Sequence, residues 1–336
     1  MRRFCTSLHL LLTFCCILAL AVLIPAKAAG AEVWRAVVGA QSSNLGKQAL
    51  AFLANELWIH VGDSITWTFP TDEIHTVTFL KPGQVRPPFP VGCPGTTPSG
   101  SSFTGASCVN SGTLLGGATY TVTFPTAGNF KLVCLVHVRQ TGTVHVLNLT
   151  ETLPHDQAFY DRQAQKEGAE LLSDASGLEG RGNSTAQQTS KNEVAAGNAS
   201  ILGNGGGSHT AAVMRFSGET IIVRVGDTVE WTNLGPAVNH TVTFGAEPPG
   251  PFPSNLMPPS PGVTTDSDGA LHAVIGSPSA NVNSGFLGSP GQEVTGSPQL
   301  PLGVTRFRVT FMAPGTYNYI CGLHDDLGMV GRVIVQ

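Results

Sequence analysis

The chain carries one β-rich block twice, and that repeat limits the folds open to it. Leu57–Trp67 and Ile221–Trp231 each read as an alternating strand, a Gly-Asp turn (Gly62-Asp63 and Gly226-Asp227) and a second alternating strand ending on tryptophan. Period-two alternation around such a turn encodes a β-hairpin. Thr119–Phe124 likewise matches Arg306–Phe311, each followed by a turn glycine, Gly128 or Gly315, and by a further strand. Gly142–Val146 and Gly331–Val335 close the two copies. Short strands with regular turn signals predict a β-sandwich in each half, with Trp67 and Trp231 at equivalent core positions. The 40 Gly, 23 Pro and 12% charged residues in a chain of 336 favour turns and strands over helices.

The strand after each turn glycine delivers a cysteine. In the second copy Cys321 is followed by His324 and Met329, a C-x2-H-x4-M spacing that puts a thiolate, an imidazole and a thioether in one loop. His240, in Asn239–Phe244, adds an imidazole from an earlier strand. Two imidazoles and a thiolate in a near-trigonal plane, with a weak axial thioether, form the ligand set of a blue-copper site and serve both oxidation states. The first copy repeats the order, with His75 in Ile74–Phe79 and then Cys134 and His137. One copper per half is therefore expected, the second set being the more complete. The bland alternative, a buried cysteine with incidental histidines, does not account for the same order appearing twice. Thr76 and Thr241, directly after the early histidines, are expected to brace the ligand loops by hydrogen bonds.

On these residues both halves resemble cupredoxins of the plastocyanin and azurin kind, over about two-thirds of the chain. The resemblance implies two Greek-key β-sandwiches and type 1 copper held in the second half by His240, Cys321, His324 and, axially, Met329. The first half departs from the pattern, because the loop from His137 to the glycine of the closing strand, Gly142, is shorter. Counting back from that glycine pairs Gln140 with Met329, and in stellacyanin-like members of the family a glutamine takes the axial place. The implied first set is then His75, Cys134, His137 and Gln140, with a three-coordinate or metal-free site as the alternative.

Copper nitrite reductases and multicopper oxidases also use such domains. They need a second centre built from histidines and coupled through a histidine beside the type 1 cysteine. Here the cysteines are flanked by Val133 and Leu135 and by Ile320 and Gly322, and no His-x-His occurs. An electron carrier is expected rather than an enzyme, with a non-redox copper-binding or sequestering protein as the alternative. Its redox partner proteins are not legible.

The remaining segments set the context. Arg2-Arg3, the apolar run from Leu8 to Ile24 and the small-x-small step Ala26-Lys27-Ala28 read as a signal peptide over residues 1–28. An exported protein, periplasmic or extracellular, is expected, with no membrane span after cleavage. Cleavage removes three basic residues and no acidic ones, leaving 15 basic against 22 acidic and a formal charge of −7. That balance gives no electrostatic case for nucleic acid. Of the four cysteines left, Cys93 and Cys108 lie in one Gly/Ser/Pro-rich loop and are expected to pair as a disulfide, the alternatives being free thiols or a separate metal site. The expected domains are 29–150 and 209–336. Residues 151–208 are read as a short helix near 156–172, weakened by Gly168, and a flexible linker ending in three glycines. His60, His155, His209 and His272 are expected to be solvated rather than ligating, whereas His145, at the place of Ile334 on the closing strand, suits a core or domain-contact role as readily as a metal.

Overall fold

The computed structural model describes residues 30–87, 93, 95–188, 192–235, 238–248, 259–288 and 304–336. The expected signal peptide lies outside these. The first half contains β1 (Val33–Gln41), β2 (Lys47–Leu53), β3 (Glu56–His60), β4 (Ser64–Phe69), β5 (Thr78–Phe79), β6 (Ser101–Ser102), β7 (Val109–Asn110), β8 (Ala118–Thr123), β9 (Gly128–Val133) and β10 (Thr141–Leu147). The helix α1 (Gln157–Gln188) follows. The second half contains β11 (Glu193–Asn204), β12 (Gly207–Ser217), β13 (Thr220–Val223), β14 (Thr228–Leu234), β15 (Thr243–Phe244), β16 (Thr264–Thr265), β17 (Leu271–Ile275), β18 (Val282–Asn283), β19 (Arg306–Phe311), β20 (Gly315–Ile320) and β21 (Val330–Val335). The fold is mostly β with one helix among the described residues, as the turn-rich composition predicts.

The two halves share their wiring. β1 pairs parallel to β4 and antiparallel to β2, and β11 pairs in the same way with β14 and β12. The closing strands β10 and β21 lie parallel to β3 and β13 and antiparallel to β9 and β20. Each repeated Gly-Asp turn is fixed by its aspartate, since Asp63 accepts from the His60 amide and Asp227 from the Arg224 amide, both at 2.9 Å. Each half has its own core. Trp67 packs on Phe79 in the first, and Trp231 packs on Phe244 and Tyr319 in the second, with both indoles fully buried.

The stretch expected to be a flexible linker is instead structured. The helix runs on to Gln188, and residues 193–217 form the hairpin β11–β12, with Asn204 opposite Gly207 across the two-residue turn Gly205-Gly206. The hairpin therefore spans residue 209, the expected start of the second domain. Ala195, Ala196, Ala199, Ala211 and Ala212 make these strands look like linker because they carry small side chains. Small residues suit this place, where helix and neighbouring sheet approach closely. β12 pairs antiparallel with β2, Ala211 opposite Ala49 and Thr210 opposite Leu50, so one 11-stranded sheet crosses both halves. His209 is consequently buried rather than solvated.

The seam between β2 and β12 is covered on both faces. On one, Leu171, Ala175 and Leu178 of α1 pack against Ala49, Ala51, Leu53, Ala211 and Val213. Asp156 caps the start of this helix by accepting from the Phe159 amide at 2.8 Å. Gly168 faces Ala40 and Leu53, where a β-carbon would touch both at 3.4 Å. On the other face Leu50, Ala212, Met214, Val238 and Leu327 form a small apolar cluster. Each well-buried leucine in such clusters contributes roughly 1.5–3 kcal/mol, which is ample to hold the two halves in one register.

Candidate metal centres

The ligand candidates reach their places through backbone pairing. His75 exchanges both amide hydrogen bonds with Leu114, and His240 does so with Leu287. The ends of β9 and β20 deliver Cys134 and Cys321. Each following loop closes by the same bond, from the Cys134 amide to the Gln140 carbonyl and from the Cys321 amide to the Met329 carbonyl, both 3.0 Å. Gln140 thus occupies in the first half the backbone position that Met329 holds in the second.

Two buried clusters result, His75/Cys134/His137 and His240/Cys321/His324. In the second, the Nδ1 atoms of His240 and His324 are 3.2 Å apart and Cys321 Sγ lies 3.8 and 3.4 Å from them. In the first, the Nδ1 atoms of His75 and His137 are also 3.2 Å apart, and Cys134 Sγ is 3.8 Å from His137 Nδ1. Gln140, fully buried, places Oε1 2.8 Å from His75 Nδ1. Met329 is equally buried. Donors held about 2.0–2.3 Å from a metal in a trigonal plane would stand roughly 3.5–3.7 Å apart. The observed separations, 3.2–3.8 Å, bracket these values, so both clusters have room for one such ion.

The threonines brace both loops as expected. Thr76 Oγ1 accepts from the Leu135 amide and Thr241 Oγ1 from the Gly322 amide, each at 2.8 Å. The chain of contacts continues through Thr78 to Asn110 and through Thr243 to Asn283. That gives a structural role to Asn110 and Asn283, each of which opens an Asn-Ser-Gly step. The thiol sulfurs accept from the amides of Thr76 at 3.4 Å and Thr241 at 3.3 Å. Burial alone would raise the Cys134 pKa, but its contacts with His137 and His75 outweigh burial and hold it well below the ordinary value. The thiolate is the metal-binding form.

Three features of the sites have no counterpart in the sequence reading. The first is glycine at the β-bulges of β1 and β11. Gly39 and Gly197 have φ of +80° and +75°, and a β-carbon would lie 2.8 Å from His75 Nε2 in the first case and collide with His240 Nε2 in the second. Each lets a strand press its backbone against the early histidine. Gly197→Ala is expected to combine an unfavourable positive φ with a clash, costing about 2–4 kcal/mol and tilting His240. Denaturant unfolding of the copper-free chain, followed by copper titration, reads both effects.

The second is a pair of arginines. Arg86 donates to the carbonyls of His137 (3.2 Å) and Val138 (2.9 Å) in the first ligand loop. Arg215 donates to the carbonyl of Leu327 in the second, and also to Asn44 of the first half.

The third is Glu73, a carboxylate only 4% exposed. Its Oε1 lies 3.4 Å from His137 Nε2 and its Oε2 3.6 Å from His324 Nε2. Burial would raise its pKa, but His324, His137 and His75 prevail and hold it at about 2. Counting back two residues from His240 gives Val238 in the place of Glu73, inside the apolar seam cluster.

Cys93 and Cys108 lie with their Cα atoms 5.8 Å apart, a separation that suits the disulfide expected from the sequence. Among the described residues no other histidine belongs to either cluster. His145, for example, stacks on Trp58 and meets Glu56 and Asn129. Among the described residues no helix is long and apolar enough to cross a membrane.

Solved structures with a similar arrangement include a copper(I) amicyanin mutant, 20% identical, covering 34% of this chain and 82% of that one at a TM-score of 0.24. Oxidised plastocyanin from Dryopteris crassirhizoma is 19% identical, over 43% of this chain and 99% of its own, at 0.21. A purple cupredoxin from Nitrosopumilus maritimus is 20% identical, over 43% and 98%, at 0.22. At such scores the fold assignment rests on the strands and clusters described above. Residues 205–336 match the family model described as copper binding proteins, plastocyanin/azurin family.

Proposed function

We propose that this is an exported two-centre copper protein that carries electrons. His240, Cys321, His324 and Met329 would hold one type 1 copper, and His75, Cys134, His137 and Gln140 the other. The observation that carries this reading is the pair of buried His/Cys/His clusters at equivalent points of two equally wired halves. The donors fit copper: two imidazoles and a thiolate at near-trigonal separations, with an amide oxygen beside the first set and a buried thioether closing the ligand loop of the second. When bound, the metal supplies a one-electron couple. The protein's part is to hold the ligands still between oxidation states, which the threonine braces, bulge glycines and closed loops do. The tandem arrangement is part of this proposal, as are the domain boundaries, now placed at about 31–150 and 192–336 with α1 between them.

Nothing beside either cysteine suits a second, catalytic centre, so carriage is favoured over catalysis. One observation favours the non-redox alternative: His137 and His324 are only 3% and 4% exposed, so no ligand edge is open to solvent. Metal analysis with optical and EPR spectra of the mature protein tests both readings. Two copper ions per chain, intense thiolate-to-copper absorption and reversible bleaching by one-electron reagents are expected. Copper that binds tightly but cannot be cycled would instead establish a sequestering protein, and a colourless chain would remove the copper reading.

A further inference from the structure

The two ligand histidines that follow the cysteines do not face outward. Each turns its Nε2 toward the other half, and a single carboxylate stands between them, one oxygen on each ring at 3.4 and 3.6 Å. All three side chains are at most 5% exposed. The seam that brings them together is a shared sheet backed by helix α1 on one side and the Leu50/Met214/Leu327 cluster on the other. Glu73 is also asymmetric, since a valine takes its place in the second half. The contact is therefore made by one residue of one half and is not a by-product of the repeat.

We propose that Glu73 links the two centres, so that each senses the oxidation state of the other and an electron passes between them along His137, Glu73 and His324. This rests on the copper reading above and adds a named residue for the communication. A carboxylate facing the ring N–H of a metal-bound imidazole strengthens that imidazole as a donor and favours the higher oxidation state. Here one carboxylate serves two rings. Oxidation at one centre draws the charge toward its own histidine and leaves the other with less, which favours the reduced state there. In the transfer itself one centre goes from Cu(I) to Cu(II) and the other from Cu(II) to Cu(I). No bond is made or broken, and Glu73 keeps its charge.

The full chain gives the test. Each centre's reduction midpoint is measured with the other intact and with it emptied by Cys134→Ser or Cys321→Ser. Wild type should show an interdependence of about fivefold or more in the reduction equilibrium. Glu73→Gln keeps the size, but its amide can present an oxygen to only one of the two rings, so the dependence should largely vanish. Transfer from the first centre to the second after a reducing pulse should slow, while absorption and EPR spectra of both centres persist.

A readout without copper separates linkage from packing. In the copper-free wild type the Nε2 protons of His137 and His324 should exchange slowly with solvent, and in Glu73→Ala both should exchange fast. Unchanged midpoints and transfer rate in Glu73→Gln, or unchanged proton protection in Glu73→Ala, would overturn the link and leave the copper reading standing. A wild-type chain that takes up no copper would overturn both.

Discussion

Replacing Cys321 with serine in the full chain is expected to remove one of two thiolate-to-copper absorptions, about half of the visible intensity, and lower the copper content from two ions per chain to one. The intense colour of such a site comes from sulfur-to-metal charge transfer. A serine hydroxyl is hard, stays protonated at neutral pH and offers no comparable transition. The change is nearly isosteric in a fully buried position, and the loop retains its closing bond from residue 321 to the Met329 carbonyl. The fold should therefore survive, and an unchanged far-ultraviolet spectrum is the control. Cys134→Ser should give the mirror result, leaving the second centre alone. Met329→Leu should keep the colour and shift the potential, because the axial group adjusts the couple without making the band. Undiminished absorption and copper content in Cys321→Ser would show that the second set has been assigned wrongly.

Much of this was legible because the repeat prints the same order of chemistry twice. His75 and His240, Cys134 and Cys321, and His137 and His324 stand out by spacing alone, and the bracing threonines follow because each lies next to a ligand. The hairpin 193–217 did not stand out. Alanines and glycines on strands packed close to a helix have the composition of a linker, and only the sheet that receives them shows otherwise. Gly39 and Gly197 were hidden for a related reason. Their role is to be absent from the space a histidine ring fills, and a missing β-carbon has no motif. Glu73 was the hardest to see. Its partners lie on two different halves, it has no echo in the repeat, and a carboxylate in a loop is ordinarily a solvated one. The seam made by β2, β12 and α1 gives it meaning, and that seam is a property of tertiary packing.

On full loading, the second centre is expected to reduce first and the first centre last. Met329 offers a soft thioether that favours Cu(I), whereas Gln140 offers a harder amide oxygen that favours Cu(II). Gln140 is fully buried with Oε1 already 2.8 Å from His75 Nδ1, so its oxygen is held beside the site in competition with no water. Arg86 works in the opposite direction. Its guanidinium sits on the carbonyls of His137 and Val138, and a positive charge there stabilises the reduced site. The axial donor acts at the metal itself, while Arg86 acts through the loop backbone and is partly screened by solvent, so the donor should decide the order. Electrons delivered to the first half would then run downhill to the second. Reductive titration, with the two centres distinguished by Cys134→Ser and Cys321→Ser reference spectra, reads the sequence directly. Gln140→Met should narrow the gap by raising the first potential, and Arg86→Gln should widen it by lowering the same one. Equal potentials in the wild type, or a gap that Gln140→Met leaves untouched, would show that residue 140 does not set the first centre's potential.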